Sequence, residues 1–310
     1  MISRAASSLF WIGRHIERAD FTARLIDAAQ KFDLLPFSDG ISGLRSAFEA
    51  SGAKYICPKP MEELSREQMI KFLSYDESNP SSIYSCLSKA RNDARSVRTA
   101  FTREVFEVLN ENWLQLNAKK SKSKSQEIGP FVAKIAEIAR GFDGALQRTM
   151  LRGEQLWFVR LGAAIERADN TARLLDVKYL ILLPEGDVIG GAIDQAQWTA
   201  ILRSVSAETS YRWLYRDGLT SWHVAEFLIL REEMPRSLAA CVSEAGEMLE
   251  KLRKQMGRQG IADRQIRVCR DSLVKNNIAS IFERGLHEFL LDFQANNNKL
   301  GDAIAEQFLF

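Results

Sequence analysis

Glu17, Asp20, Arg24 and Asp27 follow one another at intervals of three, four and three residues, and Glu166, Asp169, Arg173 and Asp176 repeat that rhythm. At about 100° per residue each set makes one narrow stripe along a helix, headed by Gly13 or Gly162. Surplus carboxylates in such a stripe suit Mg²⁺ or Mn²⁺, which prefer oxygen ligands; Glu17, Asp20, Glu166 and Asp169 are the candidate ligands, although nothing in the sequence requires a metal. The arginines could instead grip a carboxylate or phosphate in bidentate fashion. A third outcome is structural, a salt-bridge network that fixes helix register and joins two halves of the chain.

Pairing within each helix is open to Asp20 with Arg24 and to Asp169 with Arg173, at i,i+4. Glu17, Asp27, Glu166 and Asp176 then need partners from elsewhere. Arg18 and Arg167 point about 100° away from the stripes and can serve another helix or a ligand. Ile12, Ile16, Ala19, Ala23 and Ile26 flank the first stripe on one side, with Phe10, Phe21 and Leu25 on the other. A stripe between two apolar edges is expected to be half-buried. If a two-fold axis passes through the two helices, the stripes face one another across a shared cleft, with Gly13 and Gly162 allowing close approach. The ExxD spacing, with no nearby histidine, argues against a ferritin-like iron site.

The elements that must position these stripes are helical. Proline is scarce, β-branched alternation is nearly absent, and Ala, Leu, Arg and Glu dominate, so the class is all-α. IERADFTARLID (16–27) returns as IERADNTARLLD (165–176), offset by 149. FLSYDESNPSSIYSCLSKA (72–90) aligns with FLILREEMPRSLAACVSEA (227–245) at 155, and IARGFDGAL (138–146) aligns more weakly with FERGLHEFL (282–290) at 144. Three collinear blocks predict a tandem duplication, 1–149 and 150–310, packed as one helical bundle with approximate two-fold symmetry. The Lys- and Ser-rich tract 118–129 accounts for the offset change and reads as a flexible loop.

Helices are predicted at about Ser3–Leu35, Ser65–Leu73, from a cap at Ser81 or Ser82 to about Leu116, Phe131–Leu183 (one or two), Ile193–Val205, Ser221–Leu230, Pro235–Met256 and Asp263–Ala295, with a Gly/Pro loop over 40–60. Tyr211, Arg212, Trp213, Tyr215, Trp222 and His223 form an aromatic-basic cluster, read first as packing at the core edge. Arg91, Arg95, Arg98 and Arg103 make a basic stripe that reads as a solvated face, with an acidic partner as the alternative.

A net charge of +2 and dispersed arginines leave no groove-sized basic patch, which disfavours nucleic acid as a partner. No apolar run approaches the roughly 18–20 residues of a membrane span, and Arg14, His15 and Glu17 interrupt the N-terminal stretch too early for a signal-peptide core. Cys57, Cys86, Cys241 and Cys269 are widely spaced without CxxC, so the chain reads as cytoplasmic with reduced thiols. No P-loop, GxGxxG, GxSxG or HExxH motif occurs.

The opening MISRAASSLFWIGRHIERADFTARLID, its echo FVRLGAAIERADNTARLLDVKY, KARNDARSVR with the later ENW, and FLILREEMPRS together resemble the alpha-E family, a bacterial all-α domain. Departures between the copies are local: Phe21 stands against Asn170, and Ala163 and Ala164 stand where the first copy has Arg14 and His15. The resemblance implies a setting beside ATP-grasp ligase-like proteins and transglutaminase-like peptidases, in systems that form or cleave amide bonds on peptides or proteins. The expected role is that of a helical accessory or interaction protein for an ATP-grasp-type ligase. The alternative is an enzyme whose paired stripes bind a divalent metal or an anionic substrate.

Overall fold

The computed structural model describes residues 3–35, 39–120, 128–180, 190–216, 218–257 and 259–310. Among them every regular element is helical: fourteen α-helices and three short 3₁₀ turns, with no strand. In chain order these are α1 (Ser3–Asp33), α2 (Ser42–Ala50), α3 (Arg66–Ser74), α4 (Ile83–Ser96), α5 (Arg103–Lys120), α6 (Ile128–Thr149) and α7 (Glu154–Leu180). There follow α8 (Ala192–Ser204), α9 (Glu208–Leu214), α10 (Ser221–Ile229), α11 (Leu238–Met256), α12 (Ile261–Val274), α13 (Ile278–Arg284) and α14 (Leu286–Phe308).

The two helices that carry the repeated segment, α1 and α7, pack on each other at the centre of the molecule. Around them lie α2, α4, α6, α8, α11 and α14. A Cβ placed on Gly13 would stand 2.0 Å from the Val159 carbonyl oxygen, and one on Gly162 2.0 Å from that of Phe10. Both distances are far inside van der Waals contact, so glycine alone permits this backbone approach. With neighbours on nearly every side, α1 buries Leu9, Phe10, Ile12, Phe21, Ala23 and Ile26 to 3% exposure or less. No helix among the described residues is long and apolar enough to cross a membrane.

Several predicted boundaries move. The helix expected from Ser81 or Ser82 to Leu116 starts at the N-cap Ser82, whose hydroxyl accepts from the Ser85 amide. It breaks at Val97, and a 3₁₀ turn (Arg98–Ala100) with extended Phe101 leads into α5. The Thr102 and Thr149 hydroxyls meet at 2.6 Å, tying this turn to the end of α6 so that α5 can run along α6. The basic stripe is thereby divided: Arg91 sits over Trp113, Arg98 over Phe106, and Arg103 pairs with Glu107. Asp263–Ala295 is three helices, interrupted by the Asn277 cap and by Gly285 at φ +107°. The Gly/Pro loop over 40–60 contains α2, whose Leu44 and Phe48 are fully buried. The expected loop 118–129 yields its first residues to α5 and its last to α6; 121–127 lie outside the described residues, as do 181–189.

Candidate functional site: two arginine–carboxylate networks

The stripes are buried more deeply than their flanks suggest: Glu17 is 5% exposed, Asp20 2%, Glu166 1% and Asp169 8%. A carboxylate so placed requires hydrogen-bonded counter-charges. Arg18 of α1 gives its Nε and Nη2 to the two oxygens of Glu166 on α7, at 2.5 and 2.9 Å. Arg167 of α7 gives its Nε and Nη2 to Glu17 Oε2 on α1, at 3.2 and 3.0 Å. Each Glu-Arg dipeptide therefore sends its arginine to the glutamate of the other. Asp20 and Asp169 receive Arg24 and Arg173 within their own helices at 2.7 Å, as the i,i+4 spacing predicts.

The six carboxylates do not share one cleft. Crossing arginines set the two glutamates in separate networks, because like charges brought together out of water repel, whereas each glutamate beside its own guanidiniums is balanced. Asp27 stays at the surface with Lys31 at 2.6 Å, and Asp176 meets His287 Nδ1 at 2.5 Å, giving that histidine a partner the sequence did not indicate.

Around Glu166 the second guanidinium comes from Arg14, whose Nε lies 2.8 Å from Oε2. Arg14 also stacks over Trp11 at 4.8 Å. Ser81 adds a long contact to Arg18 at 3.4 Å. Around Glu17 the second guanidinium is Arg236, which donates to Glu17 Oε1 and, at 2.9 Å, to Asp20 Oδ2. Arg236 immediately precedes the α11 N-cap Ser237, whose hydroxyl accepts from the Ala240 amide and donates to the Arg231 carbonyl. Thr171 of α7 bonds the Arg236 carbonyl at 2.8 Å, fixing the direction from which its side chain arrives. Arg167 continues to Glu244 on α11 at 3.2 Å, and Glu244 is also bound by Arg160 at 3.0 Å.

A cleft of about 490 Å³ opens beside Glu17, between α1, α6, α7 and the start of α11. Its charged lining is Glu17, Asp20, Asp143 and Glu244 with Arg24, Arg140, Arg160, Arg167 and Arg236. Ala163 forms part of the wall, at the position where the first copy carries Arg14.

Burial alone would raise both glutamates. The facing guanidiniums overcome it: Arg167 and Arg236 hold Glu17 below the usual carboxylate range, and Arg18 and Arg14 bring Glu166 down to about 2. Asp143 goes the other way. Loss of hydration and then the Glu17 carboxylate push it up to about 6. Its side chain lines the cleft and is exposed to the water there. Burial, then the Arg18 guanidinium, pushes the His15 imidazole down to about 3, so it is neutral. Cys241 and Cys86, beside Arg167 and Arg18, are raised by burial to about 12 and 11, which leaves both as inert thiols.

The oxygens that a divalent cation would use on Glu17, Asp20, Glu166 and Asp169 face guanidiniums, and among the described residues no three His, Cys, Asp or Glu side chains gather as metal ligands. In this arrangement they do not fit a metal. Sequence reasoning placed Arg18 and Arg167 as helix-to-helix or ligand contacts but missed Arg14, Arg236, Glu244, Arg140, Arg160 and Asp143. Arg236 in Pro235-Arg236-Ser237 carried only the sign of a helix start. The other aromatic cluster is packing: Tyr211 stacks on Tyr215 at 4.8 Å and Tyr215 on His223 at 4.7 Å, leaving Trp213 exposed.

No curated protein and no solved structure is found to match the chain. The family model for Alpha-E, described as "a predicted alpha-helical domain with a conserved ER motif", matches residues 1–309. Over essentially its whole length, and with the Glu-Arg dipeptides at its centre, the chain belongs to the Alpha-E family.

Proposed function

We propose that residues 1–149 and 150–310 are tandem repeats related by an approximate two-fold axis between Gly13 and Gly162. Reciprocal contacts support it: Gly13 meets Val159 as Gly162 meets Phe10, and Arg18 serves Glu166 as Arg167 serves Glu17. Arg24 reaches Ser206 and Arg173 approaches Gly52, two left-handed turns at matching places in the halves. On this view the cross-paired Glu17-Arg18 and Glu166-Arg167 are the family's ER motif, and their role is to lock the halves together.

The chain's role is that of a cytoplasmic accessory protein for an ATP-grasp-type amide ligase, holding a peptide or a reaction intermediate in the cleft beside Glu17. The observation that carries this reading is the asymmetry of two networks built from the same repeated segment. The one at Glu166 is filled by Arg14, and the one at Glu17 is open. A cleft of this size with a few convergent polar groups suits a small ligand. Copurification of the tagged protein with a ligase tests the partnership; it should be lost in Ala163→Arg, which places in the cleft the side chain that fills the other network. Isolation as a lone monomer from its native host would overturn it.

A second reading, an enzyme acting on an anionic substrate, is favoured by Asp143, whose carboxyl near 6 can exchange a proton close to neutral pH. Its metal-dependent form predicts bound Mg²⁺ or Mn²⁺ by elemental analysis, lost in the Glu17→Gln/Glu166→Gln double variant. If metal is absent and the double variant only loses stability, that form fails.

A further inference from the structure

The cleft beside Glu17 offers two charged groups without protein partners. Arg140 and Asp143, three residues apart, stand on neighbouring turns of α6 and both line the cleft. Among the described residues neither makes an ion pair or a hydrogen bond. A separate observation lies across from them. Asp20 is 2% exposed and lines the same cleft, and while its Oδ2 holds Arg24 and Arg236, its Oδ1 has no donor. Buried polar atoms are almost always bonded, so this oxygen calls for an N–H; its counterpart Asp169 Oδ1 also lacks a donor, but of the two only Asp20 lines this cleft and can meet a ligand there. Five arginines against four carboxyls leave one positive charge in excess. A single carboxylate matches that excess; a phosphate, at about −1.5 to −2 near neutral pH, overshoots it and brings no N–H for Asp20 or Asp143.

Resting on the reading of the cleft as the working site, we propose that it binds an α-carboxylate together with its neighbouring N–H, the chemistry shared by a free amino acid and a peptide carboxy-terminus. The carboxylate is held by Arg140, the adjacent N–H by Asp143, and Asp20 Oδ1 accepts a further N–H after a small turn of its carboxyl. Guanidinium and carboxylate form the strong charge-assisted pair that such recognition needs.

Calorimetric titration of the full chain tests this with four probes: pooled free amino acids, pooled tripeptides with free carboxy-termini, the same tripeptides as carboxamides, and inorganic phosphate. The free acids should bind, with the amino-acid and tripeptide arms showing which source is preferred. The carboxamides should bind roughly ten-fold more weakly. Arg140→Ala, at an exposed position that makes no ion pair or hydrogen bond among the described residues, should abolish the preference for acid over amide, with Arg140→Lys recovering part of it. Ala163→Arg should abolish binding while circular dichroism shows an unchanged helical fold. Equal affinity for acids and amides, tightest binding of phosphate, no binding by any acid, or binding unaffected by Ala163→Arg overturns the proposal. If no acid binds yet Ala163→Arg still severs copurification with a ligase, the accessory role stands and only the ligand assignment falls. If copurification also survives that substitution, both fall.

Discussion

Glu166 and Glu17 occupy matching positions, are both at most 5% exposed and each hold two guanidiniums, yet of the two only Glu17 lines a cleft. One guanidinium is common to both, the arginine crossing from the opposite helix. The second differs in origin. At Glu166 it descends from Arg14 on α1 itself, and Ser81 occupies the loop before α4. At Glu17 the corresponding loop residue is Arg236 and the helix position is Ala163. Burial of a carboxylate fixes how much counter-charge it needs but not the direction of supply. Moving the arginine from the helix to the loop keeps the electrostatic balance and vacates the volume beside α7.

Breaking both networks at once should have the largest effect. Gly13→Ala or Gly162→Ala drives a methyl into a backbone carbonyl and forces α1 and α7 apart, with a loss of about 3 kcal/mol or more. Urea denaturation measures it; a loss under about 1 kcal/mol would show that the close crossing is dispensable. Removing one glutamate charge at a time sharpens the contrast. Glu166→Gln removes the charge at the most deeply buried carboxylate, leaves the half-buried Arg14 and Arg18 against a neutral amide, and should cost about 3 kcal/mol. Glu17→Gln should cost visibly less, since Glu17 lines the cleft and is 5% exposed against 1% for Glu166, so water can replace part of the lost charge. Equal losses would mean that the hollow confers no hydration.

Exchange of the supply route is gentler. Arg236→Ser alone leaves Glu17 with one guanidinium and should lose about 2 kcal/mol. Adding Ala163→Arg, which rebuilds the Arg14 and Ser81 arrangement, should restore most of it. If the pair is worse than the single variant, the two halves are not interchangeable at this point.

What the sequence disclosed of this comparison depended on the range of the interaction. The all-helical class, the capping serines and the i,i+4 pairs Asp20–Arg24 and Asp169–Arg173 are local, and spacing alone exposes them. The crossing of Arg18 and Arg167 was half legible: their angle on the wheel showed that they leave the stripe, but not that each meets the other's glutamate. Arg236 lies more than 200 residues from Glu17, in a turn whose local signs report only a helix start. Asp143 and Arg140 sit on α6 among surface-type neighbours, and nothing local marks the side of that helix turned to the cleft. The replacement of Arg14 by Ala163 was visible as a mismatch between repeats; its meaning required the packing of α1 on α7.

The smallest effect is the most specific to the hollow site. Asp143 titrates near 6 in the folded chain against an unfolded value of about 4, so folding favours its protonated form. The stability it contributes is fully present below the unfolded value and is lost as pH rises through 6. Glu166, depressed to about 2, acts in the opposite sense: its contribution is complete above the unfolded value and lost as pH falls toward 2. The windows barely overlap, so Asp143→Asn should flatten the stability profile between about pH 4 and 6 and leave the acid limb untouched. The groups facing Asp143 are Glu17 and Asp20 from α1, Arg167 from α7 and Arg236 before α11. Carboxyl-carbon NMR should therefore show its midpoint fall in Glu17→Gln, where a repelling charge is removed and two guanidiniums are released. The midpoint should stay put in Glu166→Gln, whose charge belongs to the filled network. A midpoint that moved equally in both variants would mean that the two networks share one electrostatic field, and that Arg14 fills no separate site.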